Sequence, residues 1–380
     1  MAYSQERSND TSFSPGRGMI SQEGSDMGAK DSKKPNILIL MSNNEIGGIT
    51  SSTLALFKSF SGNVEVSAAY FGPDRQLQKK REYLVQLRTP QFPSNLKFFK
   101  FIFRLTNLLK LIRKIQPTVI ICQDPSTSLI SYVCRLFFPR VKIIGMCHVP
   151  HKLLSNLDKM IIKNVFPRLH KVVVPSKFIA DELSYLKKSQ DLVVIPNSVS
   201  EEVTSCKWPR NLEIKQGFLL FLGRLEKEKN PNQIVSMAAS DPTSNYVICG
   251  DGSEMETLRK RKYKENLNNV TFLGYQDASE ILNIASVVII PSFTESFGVI
   301  AIESWLHGIP TLVSSSAEGI LELIISEDLG VLLSLEEDIE VWTKQSGELA
   351  QSRVSDQSIS IVLDAFHPST QFKKWMDVIA

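Results

Sequence analysis

The sequence predicts an α/β protein made of two doubly wound parallel-sheet domains that face each other across a cleft. Three observations carry that expectation. Short, fully apolar runs such as Asn36–Met41 (NILILM) alternate with stretches of helical periodicity, the pattern of parallel strands covered on both faces. A chain of 380 residues exceeds one ordinary core and suits two domains of about 150 to 200 residues each. A polar segment containing Pro209, residues 201–216, separates two such alternations and reads as a linker. The expected organisation is a polar tail at 1–33, a first domain at 34–200, the linker, a second domain at 217–365, and a terminal helix at 366–380.

Composition narrows the class. With 43% hydrophobic and 22% charged residues, the chain is of the soluble globular kind. No apolar run reaches the roughly 18 residues needed to cross a bilayer, and residues 1–33 are Ser/Gly-rich without a hydrophobic signal core. A cytoplasmic protein with a disordered tail is expected. Cys122, Cys134, Cys147, Cys206 and Cys249 lie in or near apolar segments without CxxC or Cys/His metal spacing, so they read as reduced thiols. The net charge of +3 conceals an asymmetry: residues 34–200 hold 24 Lys/Arg against 9 Asp/Glu, and residues 201–380 hold 15 against 26. The first half should therefore face anionic partners. Nucleic acid is not expected among them, because the basic half lacks a zinc, RNP or repeat pattern.

In the first domain, Asn36–Met41 leads through 42–48 to Thr53, Leu56, Phe57 and Phe60 at helical spacing. The pair Gly47 and Gly48 puts bare backbone amides between a strand and a helix, where a phosphate can approach; a plain tight turn fits equally well. The absence of a GxGxxG or P-loop pattern weakens dinucleotide and P-loop readings. Residues 64–70 form a second strand, and the connection after it is long and basic, with Arg75, Lys79, Lys80 and Arg81. Residues 95–115 read as an amphipathic helix with Lys97, Lys100, Arg104 and Lys110 interleaved among Phe and Leu. Such a helix packs on the sheet in the ordinary way or lies in a membrane interface with its cationic stems at anionic headgroups, and the two overlap. Strands follow at 118–122, 141–146 and 171–174. His148 emerges just past the second of these, at the edge where doubly wound sheets bind ligands.

The second domain opens with a strand at 218–221 and the loop Gly223-Arg224-Leu225-Glu226-Lys227-Glu228-Lys229-Asn230, which offers a guanidinium and an ammonium between a strand and a helix. Residues 247–252 end a strand in a glycine turn, and 270–275 (VTFLGY) form another strand, with Gly274 permitting close backbone approach. Residues 286–316 read as a buried strand at 287–290, a polar turn, a helix at 297–307, a stop at Gly308 to Pro310, and a strand at 311–314. The turn leaves a strand's carboxyl end and opens a helix, so the amides of Ser296, Phe297 and Gly298 point outward with the positive helix end behind them. Glu295 sits on that turn. Glu303 lies about 12 Å farther along, at about 1.5 Å per helical residue, which suits gripping two parts of an elongated ligand.

Glu295 and Glu303, with Phe297, Gly298, Gly308 and Pro310 at these spacings, resemble the E-x7-E signature of retaining GT-B glycosyltransferases of the group 1, family 4 type. The loop from Gly223 to Asn230 resembles the same family's GRL-x3-KN/KG element. Residues 318–322 (EGILE) match its GG-x2-E only in part, since Glu318 stands where a glycine is expected and would confront a phosphate or sugar with negative charge. The resemblance covers roughly 34–380, strongly over 217–316 and weakly in the first domain. It implies the GT-B fold of two Rossmann-like domains and a nucleotide-sugar donor as substrate, with no cofactor. In that reading Arg224 and Lys229 stabilise the leaving diphosphate, and Gly47 and Gly48 close over it. Glu303 holds the ribose hydroxyls, while Glu295 with the amides of 296–298 holds the sugar. Gly274 approaches the nucleobase, and His148, rather than His151, lies at the reacting side.

No Asp-x-Asp occurs, so a metal is not expected. The implied acceptor is a glycan or a lipid-linked intermediate of surface polysaccharide or glycolipid assembly, with an anionic membrane surface as a further partner. Three alternatives stay open: a catalytically silent relative acting as a binding partner, a sugar-nucleotide epimerase or phosphorylase of the same fold, and, least favoured for want of its fingerprint, a nicotinamide oxidoreductase.

Overall fold

Two sheets of short, β-branched and leucine-rich strands carry the chain, all of them parallel. A computed structural model describes residues 34–42, 48–72, 84–87, 96–186, 192–199 and 217–380. The expectations for the 1–33 tail, Gly47, the cluster Arg75, Lys79, Lys80 and Arg81, Cys206 and the 201–216 linker lie outside the described residues, as does the side chain of Lys97. Residues Pro35–Ala380 form one contact-continuous unit.

The amino-terminal sheet contains β1 (Asn36–Met41), β2 (Glu65–Tyr70), β3 (Leu84–Gln86), β4 (Val119–Cys122), β5 (Lys142–Met146), β6 (Lys171–Val174) and β7 (Leu192–Val194) in the order β3-β2-β1-β4-β5-β6-β7. Between them run α1 (Gly48–Phe60), α2 (Lys97–Ile115), α3 (Pro125–Cys134), α4 (Asn156–Val165) and α5 (Lys177–Glu182). Strand β1 shows why the run is apolar throughout. Leu38 and Leu40 pack under α2, α3 and α4 with Leu108, Ile112, Ile130 and Ile162, while Ile37 and Ile39 pack on the other face with Leu56 and Phe60 of α1. Each of these four residues is thus covered by a helix on its own side.

The carboxy-terminal sheet contains β8 (Phe218–Leu222), β9 (Tyr246–Cys249), β10 (Val270–Gly274), β11 (Ala285–Ile290), β12 (Thr311–Ser314) and β13 (Gly330–Leu333) in the order β10-β9-β8-β11-β12-β13. Helices α6 (Asn232–Ser240), α7 (Met255–Lys264) and α11 (Ile339–Leu349) cover one face around Trp342. The other face takes α8 (Ala278–Leu282), α9 (Val299–Leu306), α10 (Glu318–Leu321) and α12 (Asp356–Phe366) around Trp305 and Phe366. Helix α13 (Pro368–Ile379) follows α12 but packs on the amino-terminal sheet, with Phe372 and Trp375 edge-on to Phe60 at 5.8 and 6.1 Å. Lys142 Nζ caps its end at the carbonyls of Ile379 and Ala380.

Some boundaries differ from expectation for local reasons. The helix expected at 297–307 begins at Val299, because Gly298 takes φ +84° and serves as its cap. Strand β11 starts two residues before the expected 287. Strand β3, only three residues long, falls inside what reads as a connection.

Candidate active site

In both sheets the strand order reverses beside the first strand, and loops leaving neighbouring strands there are splayed apart by helices on opposite faces. In the carboxy-terminal sheet those neighbours are β8 and β11. The β8 loop is held from below: the Leu225 amide donates to Asp251, and Glu226 accepts from both the amide and the hydroxyl of Ser253. A single 3-10 turn at Lys227–Lys229 then closes on Asn230, whose φ of +49° is one that asparagine tolerates. The Phe293 amide donates to the Glu228 carbonyl at 2.9 Å, so the β8 and β11 loops are laced together through their backbones.

Side chains complete the join. Lys229 Nζ meets Glu295 Oε1 at 2.5 Å, and Ser292 Oγ donates to the same oxygen at 3.0 Å. Glu295 is buried, with 9% of its surface exposed. Arg224 pairs instead with Glu228, Nη2 to Oε1 at 2.7 Å, and stays about half exposed. The structure therefore brings Lys229 and Glu295 into contact, and places Arg224 beside them through Glu228.

The turn at 295–298 is clamped from behind. The Gly319 amide donates to the Glu295 carbonyl at 3.0 Å. A Cβ on Gly319 would lie 2.3 Å from the carbonyl carbon of Ser296, and one on Gly298 would lie 2.2 Å from Ile320. Only glycine lets α10 come this close. Glu318, expected to confront a ligand with its charge, instead accepts from Thr294 Oγ1 at 3.3 Å and faces Lys152 Nζ of the amino-terminal sheet at 3.6 Å.

Gly274 ends β10 with φ +68°, and its carbonyl accepts from Gly250 at 2.7 Å. Beside it Tyr275 stands exposed. Partial burial, then the charge of Asp277, then that of Glu303 raise its phenol pKa. Sequence reasoning missed Tyr275, although it directly follows the glycine singled out there.

On the amino-terminal side, His148 follows β5 and hydrogen-bonds through Nε2 to Gln123 Oε1, just past β4, at 3.0 Å. Burial pushes its pKa down to about 4, so the imidazole is neutral near pH 7. His151 turns aside, with its amide on Glu182 and its ring edge-on to Tyr185. Gly48 is the first residue of α1. The two sheets meet through Ser176 Oγ donating to the Ser296 carbonyl at 2.6 Å, the Lys177 amide donating to Glu322 Oε1 at 2.7 Å, and Lys152 Nζ donating to the Phe293 carbonyl at 3.3 Å. Ser176, Lys152 and Glu322 are contacts that sequence reasoning left as structural or unassigned.

Helix α2 needs a correction. Lys100 and Lys110 are exposed, but Arg104, expected on a membrane-facing edge, turns inward with its guanidinium carbon 5.3 Å from the centre of the Phe71 ring. The reason is helical phase. Positions 104, 108 and 111 fall on one stripe, and Leu108 and Leu111 are core residues.

Two family models divide the chain: Glycosyltransferase Family 4 matches residues 46–203, and Glycosyl transferases group 1 matches 205–358. Among curated relatives, a glycogen synthase of Mycobacterium tuberculosis is 29% identical over 152 residues, covering 37% of this chain and 36% of that one. The alpha-monoglucosyldiacylglycerol synthase of Acholeplasma laidlawii is 25% identical over 181 residues, covering 43% and 44%. The match thus spans less than half the length of either. The fold is shared with Anabaena HepE, solved with UDP and glucose, at a TM-score of 0.74 and 16% identity over 91% of this chain and 99% of that one.

Proposed function

Because the chain belongs to the GT-B glycosyltransferases, we propose that it moves a sugar from a nucleotide-sugar donor to a hydroxyl acceptor with retention of configuration and without a metal ion. The observation that carries this reading is the convergence of Lys229 and Glu295 from two loops laced together where the strand order reverses. A diphosphate arriving there competes with Glu228 for Arg224 and with Glu295 for Lys229, and the freed Glu295 can accept from the sugar hydroxyls. The cationic pair then stabilises the charge that develops on the departing diphosphate. Ser296, Phe297 and Gly298 offer amides backed by the positive end of α9. Glu303 and Gly274 take the ribose and base end, near Tyr275. His148, neutral and held by Gln123, serves as a hydrogen-bonding rather than a charged group at the reacting side.

For the acceptor we favour a lipid-linked or glycolipid intermediate met at the cytoplasmic face of a membrane. Phe98, Phe99 and Ile102 are exposed around Lys100 at the start of α2, and Leu157 and Met160 are exposed beside Lys159 at the start of α4. Both helices begin at the edge that carries His148. Apolar side chains set among cations suit a headgroup boundary. The Acholeplasma relative, named for a glycolipid product, points the same way.

The test is a thermal-shift and turnover screen against UDP-, GDP- and ADP-sugars. One donor class should stabilise the protein, and Lys229→Met should lower kcat/KM by roughly 10²- to 10³-fold. Product NMR should show the donor's anomeric configuration, and turnover should survive EDTA. No response to any donor, or an inverted product, would remove the reading.

A further inference from the structure

At the carboxyl edge of the amino-terminal sheet, two buried hydrogen-bond donors lack an acceptor. Arg104 lies under the start of α2 against Phe71, the residue that follows β2 and whose amide donates to Met41 at the end of β1. Its Nε is buried without a hydrogen-bond partner, and among the described residues no carboxylate pairs with it. Burial lowers its pKa while Asp124 acts to raise it, so that carboxylate is the near one. Asp124 is nevertheless committed elsewhere. Its Oδ1 accepts from the Thr127 amide and Ser126 Oγ, capping α3, and its Oδ2 accepts from the Ser42 amide. Lys100, one turn earlier on α2, has its pKa lowered by partial burial and then by the charge of Arg104. At the end of β4, Gln123 is 1% exposed, and its Nε2 is buried without a partner while its Oε1 holds His148.

A half-buried guanidinium whose Nε is shut off from water without a partner is costly unless something supplies an acceptor and the counter-charge. A neutral hydroxyl supplies none. We infer that Arg104, with Lys100 and the Gln123 amide, forms an anion subsite on the amino-terminal side of the cleft that takes a phosphate group carried by the acceptor. Guanidinium N–H groups, an ammonium and a carboxamide N–H are all donors, and a phosphate brings several acceptor oxygens together with charge. The word acceptor rests on the glycosyltransferase reading; the anion site does not.

Calorimetric titration of the full chain with sn-glycerol 3-phosphate and inorganic phosphate tests the site, alongside sedimentation with phosphatidylcholine vesicles with or without phosphatidylglycerol. Wild type should bind a phosphate-bearing probe, and Arg104→Gln should weaken it roughly tenfold or more, the scale of one charge-assisted contact. Arg104→Lys should retain part of the affinity, which separates lost charge from a lost fold, and Lys229→Met should retain all of it. Binding of the soluble probes identifies a free phosphate ester, and Arg104-dependent binding to phosphatidylglycerol vesicles alone places the phosphate on a lipid. Equal affinity in wild type and Arg104→Gln, loss in Lys229→Met only, or no binding by wild type overturns the subsite. The wild-type donor screen separates the two readings: donor stabilisation without anion binding sinks the subsite alone, and anion binding without any donor response sinks the transferase reading alone.

Discussion

In the carboxy-terminal sheet two cations of the β8 loop pair with carboxylates, Arg224 with Glu228 and Lys229 with Glu295, whereas among the described residues no carboxylate forms an ion pair with Arg104 at the edge of the amino-terminal sheet. The sheets share a strand order and differ in how they hold charge. A paired loop holds its cations in place, and on the proposed reading an arriving diphosphate must displace those carboxylates from them. An unpaired guanidinium is stabilised only when an anionic group reaches it. On the two proposals, the carboxy-terminal crevice trades one ion pair for another, and the amino-terminal crevice meets a charge that the ligand itself brings.

The comparison can be broken most forcefully at the clamp behind Glu295. Gly319→Ala drives a Cβ into the backbone of Glu295 and Ser296, and should cost about 3 kcal/mol of stability or displace the turn and lower donor turnover roughly 100-fold. Urea denaturation and turnover measured together would detect either; a variant unchanged in both would show that the paired crevice tolerates movement.

Next in size is a pH effect confined to the amino-terminal crevice. His148 titrates near 4 when folded and near 6.5 when unfolded, so between those values the unfolded chain binds the extra proton. Stability present at neutral pH should therefore fall by about 3 kcal/mol as pH drops from 6.5 to 4, and His148→Asn should flatten that slope in urea titrations. In the other sheet's layer, hydrogen bonds from Ser326, Ser355 and Ser358 hold the Asp328 carboxyl well below the usual range against the opposing effect of burial, so its own loss comes only at lower pH. A slope that persists in His148→Asn would place the titrating group elsewhere.

The smallest effect is expected between the sheets. Lys152 and Glu318 are separated by 3.6 Å with side chains 49% and 36% exposed, a screened pair worth under about 1 kcal/mol. Lys152→Ala should change donor affinity by less than about threefold, and raising salt should erase the difference. A larger loss would mean that this contact sets how the crevices face one another.

Much of this was legible in the chain. Apolar runs as in β1 and β11 mark strands covered on both faces, whereas the close approach of α10 that requires glycine at 319 showed only in the structure. Glu295, Lys229 and Glu303 could be singled out because the motifs around them resemble those of the family, not from their spacing alone. What escaped depended on phase and on partners distant in sequence. Arg104 reads as one of several interleaved cations until its stripe is aligned with Leu108 and Leu111. Strand β3 is too short for a pattern, and Gln123 and Tyr275 become notable only beside His148 and Glu303.

By itself the sequence determined the alternation of strands and helices, the basic character of the first half, and the loops that bear the charged groups, because these follow from local periodicity and composition. Tertiary structure alone decided which carboxylate meets which cation and which guanidinium is left unmatched. Lys229 and Glu295 stand 66 positions apart, and their contact exists only because β8 and β11 lie side by side. Charge pairing depends on distance in space, and adjacency along the chain does not encode it.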